Sequence, residues 1–117
     1  RQINISVPAY MVREWVICKY HEGEKLEKLF HGVPQPKKIL QVNVSSLDLI
    51  IMPGVAFAKN GARIGMGLAV YDRLLQDSRA TRVGLAYEFQ IVDKIDTDEY
   101  DLPVDYIVTE KQILKIT

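Results

Sequence analysis

The distribution of apolar residues along the chain predicts strands before anything else. Residues 3–7 alternate apolar and polar side chains up to Pro8, which predicts a strand that the proline ends. We expect residues 8–10 to form a loop and residues 15–20 to form a second strand. Residues 47–52 are almost continuously apolar and run into a Pro-Gly pair, a pattern typical of a parallel strand covered on both faces. We therefore predict that this last strand lies at the centre of a sheet.

Helical and loop patterns alternate with these strands. Leu26, Leu29 and Phe30 have the spacing of a short amphipathic helix, which Gly32 is placed to end. Residues 33–36 read Val-Pro-Gln-Pro, and we interpret them as a rigid loop because proline lacks a backbone donor and restricts the residue before it.

The second half of the chain repeats this alternation. Residues 58–61 have the composition of a turn, and residues 71–76 are predicted to form a helix after a pair of glycines. Residues 82–87 and 106–109 are predicted to be short buried strands, and the acidic segment 93–101 between them is predicted to be a loop. Alternating strands and helices favour an α/β fold with right-handed crossovers, and we expect a layered, mostly parallel sheet flanked by helices.

Composition and charge exclude several classes of protein. The 117 residues suit a single domain over residues 1–117, and the 15 basic residues balance the 15 acidic ones, so no overall field attracts nucleic acid or an anionic membrane. The apolar runs fall short of the roughly 20 residues of a membrane span. Cys18 is the only cysteine and cannot form an internal disulfide, so we expect a reducing, cytoplasmic location. The chain starts at Arg1, and we expect that an N-terminal part of the protein is missing from it.

The segment 63–73 contains the residues that indicate a function most clearly. Gly65 and Gly67 allow positive φ and a close backbone approach, and the predicted helix after them offers unpaired N–H groups and a positive dipole end. Together these features indicate a phosphate cradle. A Gly-x-Gly motif by itself also occurs in plain structural turns, so this pattern alone leaves both interpretations open.

Several blocks in a fixed order make the chain resemble a known family. They are Asp48-Leu49-Ile50-Ile51-Met52-Pro53-Gly54-Val55-Ala56-Phe57, Asn60-Gly61-Ala62-Arg63-Ile64-Gly65-Met66-Gly67, and Tyr71-Asp72-Arg73. The loop His31-Gly32-Val33-Pro34-Gln35-Pro36 precedes them, and Val83-Gly84-Leu85-Ala86-Tyr87 with Gln90 and Tyr100-Asp101-Leu102-Pro103 follow. In this order and spacing they resemble the C-terminal part of the 5-formyltetrahydrofolate cyclo-ligase family, also called methenyltetrahydrofolate synthetases.

The resemblance implies a fold, a reaction and a set of ligands. The fold would be of the ribose-phosphate-isomerase and CoA-transferase type. The reaction would be the ATP-dependent cyclisation of 5-formyltetrahydrofolate to 5,10-methenyltetrahydrofolate, with release of ADP and phosphate, in a ligase that needs Mg²⁺. The partners would be ATP and a reduced folate, and we expect a monomer.

The resemblance also implies roles for individual residues. Arg63 and Tyr71 would be catalytic, and Asp72 and Asp101 would hold Mg²⁺, since hard carboxylate oxygens suit that ion. The nucleotide would contact Arg63, Ile64, Gly65, Met66, Gly67, Leu68, Ala69, Val70 and Tyr71. The folate would contact Gln35, Pro36, Met66, Gly67, Leu68, Ala69 and Val70.

A second interpretation stays open at this stage. Leu68, Ala69 and Val70 stand where the family usually has glycine or lysine, then glycine, then an aromatic residue. The chain could therefore be a non-catalytic paralogue that binds folate or nucleotide, or an interaction module. Asp72 and Asp101 could equally be a helix-dipole partner and a solvated surface charge.

Overall fold

The computed structural model describes residues 3–28, 32–65, 74–96 and 102–116. It divides into two compact units, residues 1–46 and 47–117, and each is described by itself. Among the described residues, no helix is long and apolar enough to cross a membrane.

The first unit consists of short antiparallel strands. Its sheet has the order β1-β2-β5, and a two-stranded ladder joins β3 to β4. Ala9, Val16 and Cys18 form its buried core. Burial raises the pKa of the Cys18 thiol, and the Glu24 carboxylate adds to the effect, so the thiol stays protonated. The strands are β1 (Ile5–Met11), β2 (Glu14–Tyr20), β3 (Leu26–Lys28), β4 (Pro34–Pro36) and β5 (Gln41–Val42).

The prediction that Pro8 ends the first strand is wrong. β1 continues through Pro8, which pairs with Ile17, and it reaches Met11 before the chain turns at Val12 and Arg13. The β1 strand lies at the edge of its sheet, where a residue without an N–H can face away from the neighbouring strand. Residues 8–10 are therefore strand and not loop.

The helix predicted around Leu26 is also wrong for the residues that the structure describes. Residues 26–28 form β3, which pairs antiparallel with residues 34–36 of β4; Leu29 and Phe30 lie outside the described residues. In an antiparallel ladder only alternate residues donate toward the partner strand, so Gln35 can donate while Pro34 and Pro36 occupy positions that need no donor. The segment predicted as a rigid loop is thus a short strand.

The second unit is built on a mixed sheet with the order β12-β11-β9-β6. β6, β9 and β11 run parallel, and β12 returns antiparallel to β11. A smaller sheet has the order β10-β7-β8. The strands are β6 (Leu49–Met52), β7 (Ala56–Ala58), β8 (Arg63–Ile64), β9 (Thr81–Leu85), β10 (Ile91–Val92), β11 (Tyr106–Val108) and β12 (Ile113–Lys115).

The two faces of the four-stranded sheet differ sharply in burial. Met52 and Ile107 lie in register with Gly84 on one face, and both are fully buried. Phe57 packs on this face so closely that a Cβ on Gly84 would lie 2.5 Å from the Phe57 Cε1 atom. The opposite face exposes more than half of each of the apolar side chains Leu49, Ile51, Leu85 and Ile113.

Several predictions for this unit need correction. The apolar run at residues 47–52 does form a parallel strand, but in the described part of the chain β6 lies at the end of its sheet and only alternate residues are buried. The sheets are mixed, since three of the eight strand pairs between described residues are parallel. Of the helix predicted for residues 71–76, residues 71–73 lie outside the described residues, Leu74 is helical and residues 75–77 form a turn.

The remaining strand predictions are confirmed. The structure has strands within residues 15–20, 82–87 and 106–109, although β9 ends at Leu85 and β11 at Val108. The predicted turn over residues 58–61 is also present, and Gly61 has a φ of 90°.

Candidate functional site

The carboxyl ends of the three parallel strands define the candidate site. β6 runs into Pro53, β9 into Ala86 and β11 into Thr109. The Ala86 N–H donates to the Val108 carbonyl at 3.0 Å, which ties two of these strand ends together. Ligands of α/β sheets bind outside the carboxyl ends of parallel strands, so this edge is where a site is expected.

The turn after β6 is held by hydrogen bonds from two sides. The Gln90 Nε2 atom donates to the Gly54 carbonyl at 3.0 Å and to the Val55 carbonyl at 3.1 Å. The Val55 N–H donates to the Ile64 carbonyl at 2.7 Å, and the Arg63 Nη1 atom donates to the Pro53 carbonyl at 3.1 Å. The turn therefore joins the loop after β9 to the strand that carries Arg63.

Two glycines make room for the Arg63 side chain. A Cβ on Gly54 would lie 3.2 Å from the Arg63 Cγ atom, and a Cβ on Gly65 would lie 2.9 Å from its Nη1 atom. The arginine side chain thus crosses both backbones, and its guanidinium group lies against Gly65. Gly65 does not adopt the positive φ that a glycine allows. The missing Cβ instead allows a cation to lie at the start of the turn.

A second group of side chains braces the loop after β9. The Glu88 carboxylate accepts hydrogen bonds from the Thr109 hydroxyl at 2.9 Å and from the Gln112 Nε2 atom at 2.7 Å. The Glu88 N–H donates to the Glu110 carboxylate at 2.8 Å. The loops after β9 and β11 are therefore cross-linked by polar side chains.

This loop also presents two aromatic rings to solvent. The Tyr87 and Phe89 rings stack with their centroids 5.7 Å apart and an angle of 7° between their planes. Tyr87 is 62% exposed and Phe89 is 83% exposed. Phe89 is the middle residue of the 3-10 helix Glu88–Gln90, and Tyr87 is its N-cap. The Gln90 N–H closes this helix by donating to the Tyr87 carbonyl at 2.9 Å.

Gln35, predicted to contact the folate, has a clear structural role in the first unit. Its side chain is 1% exposed. Its Oε1 atom accepts from the Tyr10 N–H at 2.9 Å, and its Nε2 atom donates to the Tyr10 carbonyl at 3.1 Å. The side-chain amide thus extends the edge of β1 as another strand would. Pro36 beside it is also buried, and the folate contacts of both residues stay predictions.

Most of the other predicted site residues lie outside the described residues. These are Met66, Gly67, Leu68, Ala69, Val70, Tyr71, Asp72 and Asp101. Within the ranges that the structure describes, no group of three or more His, Cys, Asp and Glu side chains could hold a metal ion. Of the predicted nucleotide contacts, the structure brings Arg63, Ile64 and Gly65 together at the carboxyl edge of the sheet.

Sequence analysis assigned no site role to the polar residues that shape this edge. Two of them, Glu88 and Gln90, follow the predicted strand 82–87. Thr109 is the last residue of the predicted strand 106–109, and Gln112 follows it. Since the carboxyl ends of parallel strands meet at one edge, polar residues just after two such strands are a signal that could have identified them.

Comparison with known proteins places this geometry in a wider class. The structure matches the NMR structure of the 5,10-methenyltetrahydrofolate synthetase of Aquifex aeolicus with a TM-score of 0.84 and 34% sequence identity, over 97% of this chain and 58% of that one. The fold is therefore of the α/β type that this synthetase has. Residues 2–110 match the 5-formyltetrahydrofolate cyclo-ligase family, and the chain belongs to that family.

Curated relatives agree with this assignment. The chain is 34% identical over 103 residues to the 5-formyltetrahydrofolate cyclo-ligase of Escherichia coli, covering 84% of this chain and 57% of the relative. It is 40% identical over 94 residues to that of Haemophilus influenzae, covering 76% of this chain and 50% of the relative. The chain thus spans about half the length of the curated relatives that it matches.

Proposed function

We propose that the protein carries out the ATP-dependent cyclisation of 5-formyltetrahydrofolate to 5,10-methenyltetrahydrofolate, with release of ADP and phosphate. Membership of the family supports this reaction. The structural observation that carries the proposal is the Arg63 guanidinium group, which lies against Gly65 beside the carboxyl ends of the parallel strands.

The position of Arg63 suits binding of phosphate. The Pro53 carbonyl fixes the direction of the guanidinium group through its bond to Nη1. A guanidinium group is planar, always charged and rich in donors, so it fits phosphate oxygens better than a lysine would. The missing Cβ of Gly65 lets this guanidinium group lie close to the backbone of the turn.

The reaction needs positioning and charge neutralisation more than covalent chemistry from the protein. The formyl oxygen attacks the γ-phosphorus of ATP, and ADP leaves. The neighbouring folate nitrogen then attacks the formyl carbon, a C–N bond forms, that nitrogen loses its proton to solvent, and the oxygen departs with phosphate. The Arg63 guanidinium group neutralises charge that builds up on the transferred phosphoryl group, and the Tyr71 hydroxyl donates a hydrogen bond to it.

We also propose ligand contacts for the other predicted residues. Arg63 to Tyr71 would contact the nucleotide, residues 66–70 would contact the folate, and folate contacts are proposed for Gln35 and Pro36 as well. The carboxylates of Asp72 and Asp101 would hold Mg²⁺, for which carboxylate oxygens are the preferred protein ligands. Bound there, the ion would supply positive charge next to the phosphates of the nucleotide.

We also propose that the sheet is layered as in ribose-phosphate isomerase and CoA transferase, with helices on its faces, and that the active protein is monomeric. Its single cysteine, Cys18, is buried and supports a location in a reducing compartment such as the cytoplasm.

The test is a direct assay of turnover. Protein is mixed with 5-formyltetrahydrofolate and MgATP, and absorbance of the methenyl product is followed, with a matched reaction that lacks ATP. We expect product only when ATP is present. Saturable binding of ATP or folate without product would favour the non-catalytic paralogue, which the side chains of Leu68, Ala69 and Val70 suggest as the alternative.

A further inference from the structure

The loop after β9 contains an unusual combination of a braced backbone and exposed rings. Its polar side chains are engaged in holding it: Gln90 bonds the turn after β6, and Glu88 bonds Thr109 and Gln112. Tyr87 and Phe89, by contrast, lie mostly in solvent. The two stacked rings contribute little to the free energy of folding, because neither ring is buried.

From this arrangement we infer that Tyr87 and Phe89 form a stacking platform for the planar heteroaromatic ring of a ligand that binds at the carboxyl edge. The inference rests on the proposed function, because both of its ligands, ATP and the reduced folate, contain such a ring. Aromatic side chains bind nucleobases and similar rings through their faces, with little dependence on the substituents of the ring.

The platform and the phosphate turn belong to one hydrogen-bonded assembly. Gln90 closes the 3-10 helix beside the two rings and also donates to the Gly54 and Val55 carbonyls. The Arg63 side chain donates to the carbonyl of Pro53, the residue before Gly54. A ligand with phosphates at Arg63 would therefore meet the platform on the same edge of the sheet.

Charge indicates which end of a ligand the platform takes. The carboxylates of Glu88 and Glu110 belong to the hydrogen-bond network of the loop that carries the rings, and Glu88 accepts its bonds from the neutral groups of Thr109 and Gln112. Negative charge at this place disfavours phosphate, whereas the guanidinium group of Arg63 favours it. The platform thus suits the ring of the ligand and the arginine suits its phosphates.

Calorimetric titrations with three probes test the inference. MgATP and 5-formyltetrahydrofolate each contain a ring, and tripolyphosphate contains phosphates alone. For Phe89→Ala and Tyr87→Ala we expect the affinity for one of the two ring ligands to fall about tenfold, the range of a lost stacking contact. Tripolyphosphate affinity should stay within twofold, and the ligand that weakens identifies the ring that stacks.

Two kinds of control keep the result interpretable. Phe89→Tyr and Tyr87→Phe keep a ring and should retain affinity, and Ile113→Ala removes an apolar side chain that is 72% exposed on β12, outside the platform. Unchanged affinity of both alanine variants for both ring ligands would overturn the inference, as would an equal loss for tripolyphosphate. A wild-type protein that binds neither ring ligand would overturn the proposed function as well, so the two failures are distinguishable.

Discussion

The buried face of the four-stranded sheet and the carboxyl edge of the same sheet are built in different ways. On the face, Met52 and Ile107 pair with Gly84, Phe57 packs against it, and all three side chains are completely buried. At the edge, Gln90 and Glu88 hold the loops through hydrogen bonds while the rings of Tyr87 and Phe89 face solvent.

Because of this difference, we expect the buried face to determine stability and the carboxyl edge to determine binding. A close-packed face tolerates no added volume, whereas an edge held by partly exposed hydrogen bonds loses only modest free energy when one bond is removed. Substitutions on the buried face should therefore lower the free energy of unfolding most, and substitutions at the edge should change it little and change what the protein binds.

The largest effect is expected at Gly84. In Gly84→Ala the new Cβ would lie 2.5 Å from the Phe57 Cε1 atom, so the ring or the strand must move. We expect the free energy of unfolding to fall by about 3 kcal/mol, at the upper end of the usual cost of overpacking, measured by urea denaturation. The double variant Gly84→Ala with Phe57→Leu should recover part of the loss. Wild-type stability in the single variant would contradict the described packing.

An intermediate effect is expected at Gln90. Gln90→Met keeps the length of the side chain but removes the donor to the Gly54 and Val55 carbonyls. We expect a loss of about 1 kcal/mol, since these carbonyls are near solvent and water can replace the donor. The same variant should bind MgATP more weakly, because the turn that orients Arg63 loses a support. A stability loss as large as that of Gly84→Ala would remove the distinction between face and edge.

The smallest effect is expected on the exposed face of the sheet. Leu85 neighbours Gly84 on β9, and its side chain is 57% exposed. For Leu85→Ala we expect a change in the free energy of unfolding of less than about 0.5 kcal/mol in the same denaturation experiment. A loss of several kcal/mol would mean that this side chain is buried in solution.

The sequence allowed β2 and the three parallel strands to be predicted, but not the full length of β1 or the pairing of β3 with β4. A nearly continuous apolar run predicts β6 as a parallel strand, and shorter apolar stretches predict strands at β9 and β11. The full length of β1 is not predicted, because a strand can include Pro8 only at the edge of a sheet. The edge position is known only from the strand pairing. The sequence does not predict β3, because its three exposed residues show no alternation of apolar and polar side chains. They form a strand because they pair with β4.

The candidate site was predictable in part for a similar reason. The glycine motif drew attention to Arg63 and Gly65 because its spacing is local, and their contacts with the nucleotide stay predictions. The contacts of Gln90 with the turn after β6 join residues 35 and 36 positions apart, which no local pattern indicates. Gln35 shows the same limit, because its bonds to Tyr10 span 25 positions.

The most direct measurement is the binding of MgATP to the wild-type protein and to Arg63→Ala, by calorimetric titration. Because the account places the nucleotide phosphates on the guanidinium group of Arg63, it predicts saturable binding by the wild type and at least about tenfold weaker binding by the variant, in the range of a lost charge-assisted hydrogen bond. Arg63→Lys should fall between them, and all three proteins should be equally folded by circular dichroism. Equal affinity of wild type and Arg63→Ala would contradict the account.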